Sequence, residues 1–146
     1  TSLDEKISRI SSVLSPMGKN ILDLLVSKSD IKIKQAIEQS KHLSDTEAAL
    51  ILETMNSSML AETTINKEIM KAFLSFAQQR TELLDDTISY LRSFSGSQIS
   101  YGCISYIASF AKDTNKQVEI MEIVSQWEKK KPGLQSSIEK LLKNKS

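Results

Sequence analysis

Residues 97–111 read SQISYGCISYIASFA, and no side chain from Ser93 to Ala111 carries a charge. On a helix, the apolar side chains of this stretch cover nearly the whole circumference, which is typical of a helix buried at the centre of a fold. We therefore expect a central apolar helix from about Ser97 to Ala111. Within it, we expect Ile104 and Ile107 to be fully buried.

The charge-free stretch is also close in length to a membrane-spanning helix, so a membrane-active helical domain is one alternative. Its six serines argue against insertion into a bilayer. Glycine tolerates the left-handed conformation that ends helices, so Gly96 is expected to end the preceding helix and Ser97 to cap the next one. These features favour burial in a protein core, and we do not expect a membrane as the partner.

Amphipathic helices are predicted on both sides of this stretch, because apolar residues recur three and four positions apart. A stripe of Leu3, Ile7, Ile10 and Leu14 follows a capping box at Ser2. Further helix starts are predicted at Ser15, Ser29, Ser44, Thr63 or Thr64, and Thr114. A bend is expected at Arg80, and Pro132 and Gly133 break the chain before a last helix.

The chain has 146 residues with only four glycines and two prolines, which argues against a β architecture with many turns. The sequence therefore predicts an all-α fold: one compact domain over residues 1–146, a bundle of about seven to nine helices around the central apolar helix. A four-helix bundle with long, partly fused helices is the alternative.

No residue pattern points to catalysis. His42 is the only histidine and Cys103 the only cysteine, which removes zinc sites built from several cysteines and histidines. A Cys103–His42 dyad would require the two side chains to meet in space, and no glycine-rich phosphate loop is present. We expect no enzyme activity, no metal and no cofactor, with metal-free carboxylate catalysis as the open alternative.

The cysteine content also bears on location. A single cysteine cannot form an intramolecular disulfide, so we expect a reducing compartment, either the cytoplasm of the source cell or that of a host. A secreted protein without disulfides remains the alternative.

The carboxyl-terminal region is rich in lysine although the net charge of the chain is only +1. A patch that binds nucleic acid, with Trp127 as a stacking surface, would be formed by Lys129, Lys130, Lys131, Lys140 and Lys143. The alternative is that these lysines only complement helix ends and keep the surface soluble. With only three arginines in the chain, base-specific recognition is not expected.

The stretch Cys103-Ile104-Ser105-Tyr106-Ile107, followed by Asn115-Lys116-Gln117, resembles the helical core of the pneumovirus transcription antiterminator. The resemblance implies a viral RNA-binding protein. The zinc finger expected ahead of that core is missing from this chain.

Protein binding is the leading functional hypothesis. Met55 and Met59 recur on one side of the helix predicted to start at Ser44, and flexible methionines can line an adaptable groove, although at this spacing they also suit a core. We expect a non-enzymatic helical interaction module, of the adaptor, chaperone or effector kind, that binds a protein partner. Nucleic acid is the second candidate partner.

Overall fold

The computed structural model describes residues 14–144, and within this range the chain forms eight α-helices and four short 3₁₀ turns, with no strand. The helices are α1 Pro16–Leu25, α2 Asp30–Gln39, α3 Asp45–Leu60, α4 Lys67–Ala77, α5 Leu84–Ser93, α6 Ile104–Asp113, α7 Gln117–Trp127 and α8 Leu134–Asn144. The 3₁₀ turns are Ser40–His42, Thr81–Leu83, Gly96–Gln98 and Tyr101–Cys103. The predicted all-α class and single compact domain are confirmed. The helix predicted to start at Ser2 lies outside the described residues.

Three predicted helix starts are confirmed. The hydroxyl oxygens of Ser15, Ser29 and Ser44 each accept a hydrogen bond from a first-turn amide, over 3.1, 3.4 and 3.2 Å. Pro16 occupies the first turn of α1, where its missing amide hydrogen costs nothing. Local sequence signals therefore decide where α1, α2 and α3 begin.

Two predicted starts are wrong. Helix α4 begins after Asn66, whose side-chain oxygen accepts bonds from two first-turn amides over 2.9 and 3.1 Å, and not after Thr63 or Thr64. Helix α7 begins after Lys116, because Asn115 adopts a left-handed φ of 59° and delays the next helix by two residues. Thr114 instead donates its hydroxyl hydrogen to a carbonyl of α6.

The predicted helix over residues 97–111 is also wrong in its first half, because α6 begins only at Ile104. Residues 96–103 form two 3₁₀ turns joined by extended backbone at Ile99 and Ser100. Ser95, not Ser97, caps the first turn, and its amide donates to Gln98 Oε1 over 2.9 Å.

Hydrogen bonds to a distant loop replace the missing helical ones. The side-chain amide of Gln98 donates to Glu62 O over 2.7 Å, and Gln98 O accepts from the amide of Ile65 over 2.8 Å. These bonds tie residues 96–100 to the loop between α3 and α4. The second bond satisfies the carbonyl group of Gln98, which a continuous helix would have paired locally.

Gly96 has a different role from the predicted one. It lies after α5 has ended at Ser93, and its φ is not positive. A Cβ at this position would lie 2.4 Å from the carbonyl oxygen of Trp127. Glycine is required here because the backbone at the end of α7 approaches too closely for any side chain.

Helix α6 still lies in the core, packed against α8, α4 and α7. The prediction for Ile107 is confirmed, since it is completely buried. The prediction for Ile104 is wrong, because this residue is only partly buried at the first position of the shortened helix.

The predicted bend at Arg80 is confirmed, since α4 ends at Ala77 and Arg80 has an extended backbone. Its guanidinium donates to the carbonyl oxygens of Ser40 and Leu43 over 2.9 and 2.6 Å, and it pairs with the carboxylate of Asp45. One largely buried side chain therefore fixes the corner between α4 and α5 against the corner between α2 and α3.

Candidate functional site

An open cleft of about 590 Å³ lies where the carboxyl ends of α1 and α3 meet the start of α4. Five apolar side chains line it: Val26, Met55, Met59, Ile65 and Ile69. The polar lining residues are Lys28, Ser58, Glu62, Thr64 and Asn66. Sequence reasoning identified only the two methionines, because the other walls come from separate elements that no single periodic pattern joins.

The backbone around this cleft is held by specific interactions. Lys28 adopts a left-handed φ of 65° just after α1 ends, which turns the chain toward α2. Gln98 donates to the carbonyl oxygens of Leu60, the last residue of α3, and of Glu62 just beyond it. Asn66 caps α4 on the far wall. The cleft is thus bounded by capped helix ends, whose positions are fixed.

The structure places Met55 and Met59 in the cleft lining, but each side chain is only 1% exposed. They form its closed base and do not project from the surface. Two exposed apolar residues lie close by in sequence: Leu60 follows Met59 directly, and Ile31, which is 72% exposed, lies three residues after Lys28. Neither of these side chains lines the cleft, so its apolar surface comes from the five lining residues alone.

The lysines that the sequence suggested as a nucleic-acid patch have different local environments. Lys140 and Lys143 line a shallow depression of about 300 Å³ on α8 together with Ser136, Ser137 and Glu139. Lys129 donates to the side chain of Gln126 over 3.1 Å, and Lys130 is exposed. Lys131 lies over the ring of Tyr101, with 5.4 Å between its Nζ and the ring centroid.

The expected stacking role of Trp127 is wrong. Its side chain is 2% exposed, and its indole N–H donates to the carbonyl oxygen of Phe94 over 3.1 Å in the core. The sequence pattern could not show this hydrogen bond, because Phe94 is 33 residues away. The exposed aromatic side chain beside the lysines is Tyr101, which is 50% exposed.

The turn that carries the lysines is stabilised by Glu128. Its carboxylate accepts hydrogen bonds from the amides of Gln135 and Gly133, each over 2.8 Å, at the start of α8. The bond from Gln135, and to a smaller extent the bond from Gly133, lowers the pKa of the Glu128 carboxyl below its usual value. A charged carboxylate thus holds α7, the lysine-rich turn and α8 together.

The groups considered for catalysis are not assembled. Burial raises the pKa of the Cys103 thiol, whose sulfur lies 3.5 Å from the hydroxyl of Ser100, while His42 is exposed on a different turn. Among residues 14–144, no group of three or more histidine, cysteine, aspartate or glutamate side chains is arranged to hold a metal ion. No helix in the same range is long and apolar enough to cross a membrane.

Comparison with known proteins gives no relative: no family model, no curated protein and no solved structure matches this chain.

Proposed function

We propose that this chain is a non-enzymatic interaction module that holds one amphipathic helix of a partner protein in the cleft between α1, α3 and α4. The observation that carries the proposal is an open cleft lined by five apolar side chains on a scaffold of capped helix ends. Recognition of an amphipathic helix in a groove requires this combination of an apolar base and fixed walls.

The dimensions and chemistry of the cleft fit an apolar face of a helix. Its volume of about 590 Å³ is sufficient for several apolar side chains. Met55 and Met59 are one helical turn apart, and the flexible thioethers can adjust to side chains of different shape. Lys28 and Glu62 are its only lining residues with a full charge, so most of the lining is neutral.

The two rim charges define the partner further. Lys28 and Glu62 are both exposed and carry opposite charges. A docked helix would be favoured by a carboxylate near Lys28 and an ammonium or guanidinium near Glu62. The proposed partner is therefore an amphipathic helix with an apolar face and charges of both signs flanking it.

A displayed library of amphipathic helical peptides, with random residues beside a fixed apolar face, tests this function directly. Peptides selected on the wild-type chain are measured against Thr64→Arg and Thr63→Arg. Both threonines are exposed neighbours in one loop, but only Thr64 lines the cleft. We expect Thr64→Arg to weaken binding at least about tenfold, a loss of about 1.4 kcal/mol, because the long charged side chain competes for the apolar space. Thr63→Arg should change affinity by less than about twofold.

Equal effects of the two substitutions, or no selectable peptide, would contradict the proposal. The rim charges are tested by repeating the selection on the double variant Lys28→Glu/Glu62→Lys. We expect peptides whose flanking charges are reversed. The same peptides from both selections would show that Lys28 and Glu62 take no part in recognition.

A further inference from the structure

A second surface, separate from the cleft, combines lysines with tyrosines. Tyr101 and Tyr106 come from the charge-free stretch, Lys67 and Lys71 from α4, and Lys131 from the turn before α8. These five residues are called the tyrosine–lysine surface below. It arises because α4 packs along the Tyr101–Cys103 turn and α6.

Tyr101 is held in a fixed and accessible position. Its hydroxyl donates to the carbonyl oxygen of Pro132 over 2.6 Å, and half of the residue remains exposed. Lys131 lies 5.4 Å from the ring centroid, within the range of a cation–π interaction. An exposed aromatic ring is therefore oriented in advance, beside a positive charge.

Lys67 and Lys71 lie one helical turn apart on α4, about 6 Å along the helix axis. The aliphatic part of Lys67 packs so close to Gly102 that a Cβ there would lie 3.2 Å from it. The Nζ of Lys71 lies 5.6 Å from the centroid of Tyr106. Lys67 thus lies exposed beside the Tyr101–Cys103 turn, and the partly buried Lys71 lies beside Tyr106.

Among the described residues, the nearby carboxylates form an ion pair with only one of the three lysines of this surface. The stretch from Ser93 to Ala111 contributes no carboxylate, and Asp30 is engaged by Lys71 over 3.2 Å. Glu68, on the residue after Lys67, and Glu128, which accepts a hydrogen bond from the amide of Gly133 in the turn that carries Lys131, are two more carboxylates near this surface. In the described part of the chain, no carboxylate lies within ion-pair distance of Lys67 or Lys131.

We propose that the tyrosine–lysine surface binds single-stranded nucleic acid, with bases stacking on Tyr101 and phosphates contacting Lys67 and Lys131. Sequence-independent binding of single strands uses this combination of basic groups and exposed aromatic rings. The exposed neighbours Gly102, Ser105 and Pro132 supply no long aliphatic side chain for insertion into a bilayer. The tyrosine–lysine surface is distinct from the peptide cleft, so the proposal for one can fail without the proposal for the other.

Two double variants with equal loss of charge separate this surface from the lysines of α8. Fluorescence anisotropy is measured with a labelled oligothymidylate of about eight nucleotides, at about 50 and 200 mM salt. We expect Lys67→Gln/Lys131→Gln to weaken binding at least about tenfold at the lower salt and to reduce the salt slope by about 1.4. Lys140→Gln/Lys143→Gln should weaken it by less than about threefold. Equal losses in the two variants would overturn the assignment.

The contribution of Tyr101 is tested with a strand of the same length that lacks bases. The wild-type chain should bind the oligothymidylate at least about fivefold more tightly than the abasic strand. Tyr101→Leu should remove this preference, whereas Tyr101→Phe, which keeps the ring, should retain most of it. A wild-type chain that binds both strands equally, or that binds phosphatidylserine vesicles and neither strand, would overturn the proposal.

Discussion

Replacing Arg80 by Met is expected to destabilise the domain far more than removing the carboxylate with which Arg80 pairs. The Arg80 side chain is only 14% exposed, and its guanidinium donates to two backbone carbonyl oxygens as well as to Asp45. Met retains much of the apolar contact of the arginine stem but leaves both carbonyl groups without this donor.

The expected magnitude follows from these contacts. A hydrogen bond from a charged donor contributes about 1.5–3 kcal/mol, so loss of the two bonds to Ser40 and Leu43 should cost about 3 kcal/mol or more. The carboxylate of Asp45 is 70% exposed, and such a surface pair contributes about 0–1 kcal/mol. Arg80→Met should therefore lower the melting temperature by about 6–12 °C, and Asp45→Asn by no more than about 4 °C.

Thermal and urea unfolding of both variants, followed by circular dichroism, provides the measurement. Arg80→Lys is a useful third variant, because an ammonium group can reach one acceptor but cannot present the planar fork of the guanidinium. It should fall between the wild-type chain and Arg80→Met. If Asp45→Asn lowers the stability as much as Arg80→Met, the exposed ion pair contributes more than the two hydrogen bonds to the carbonyl oxygens, contrary to this prediction.

Three further predictions concern the core and the turn before α8. Gly96→Ala should destabilise the domain by more than about 1 kcal/mol in urea unfolding, because the added Cβ would collide with the backbone of Trp127. An unchanged midpoint of urea unfolding would contradict this close approach. Ile107→Asp should abolish cooperative unfolding, since it buries an unpaired charge. Ile104→Asp should leave a folded domain, because Ile104 is only partly buried. An equal loss of stability in the two variants would contradict the shortened α6. Glu128 has a lowered folded-state pKa, so its stabilisation is fully present above the usual glutamate pKa of about 4.3 and is lost as the pH falls through the lower value. Thermal unfolding should therefore show Glu128→Gln less stable than the wild-type chain at neutral pH and equal to it in strong acid; a constant difference would exclude this role.

The parts of the fold that follow from local chemistry were predictable. The serines that cap α1, α2 and α3 each satisfy an amide three residues away, so their role can be inferred from the order of residues alone. The bend at Arg80 was likewise predicted from an interruption of the apolar stripe. The sequence did not reveal where its guanidinium reaches, because the acceptors are 37 and 40 residues away.

The charge-free stretch shows where local reasoning fails. Its composition predicts one continuous helix, but Gln98 pairs with the loop between α3 and α4, and this interaction keeps residues 96–100 out of the helix. Long-range hydrogen bonds of this kind have no signature in a single sequence. The same limit explains why Trp127 was considered as a stacking surface in the nucleic-acid hypothesis, although its N–H bonds to Phe94 in the core.

The candidate cleft was predictable only in part. Met55 and Met59 share a helix face, so their proximity could be inferred from their spacing. Val26 and Ile69 reach the same cleft through the packing of α1 and α4, which the periodicity of either helix does not specify. The contact between Tyr101 and Lys131 is also not specified by helix periodicity, because one residue lies in the Tyr101–Cys103 turn and the other in the turn before α8.

A ¹H–¹⁵N NMR titration of the wild-type chain with the tightest selected peptide tests the claim that the cleft holds a helix. We expect the largest amide shifts at Val26, Ser58 and Ile69, with little change at Lys140 on α8. Largest shifts on α8 or at Tyr101, with the cleft amides unchanged, would contradict the claim.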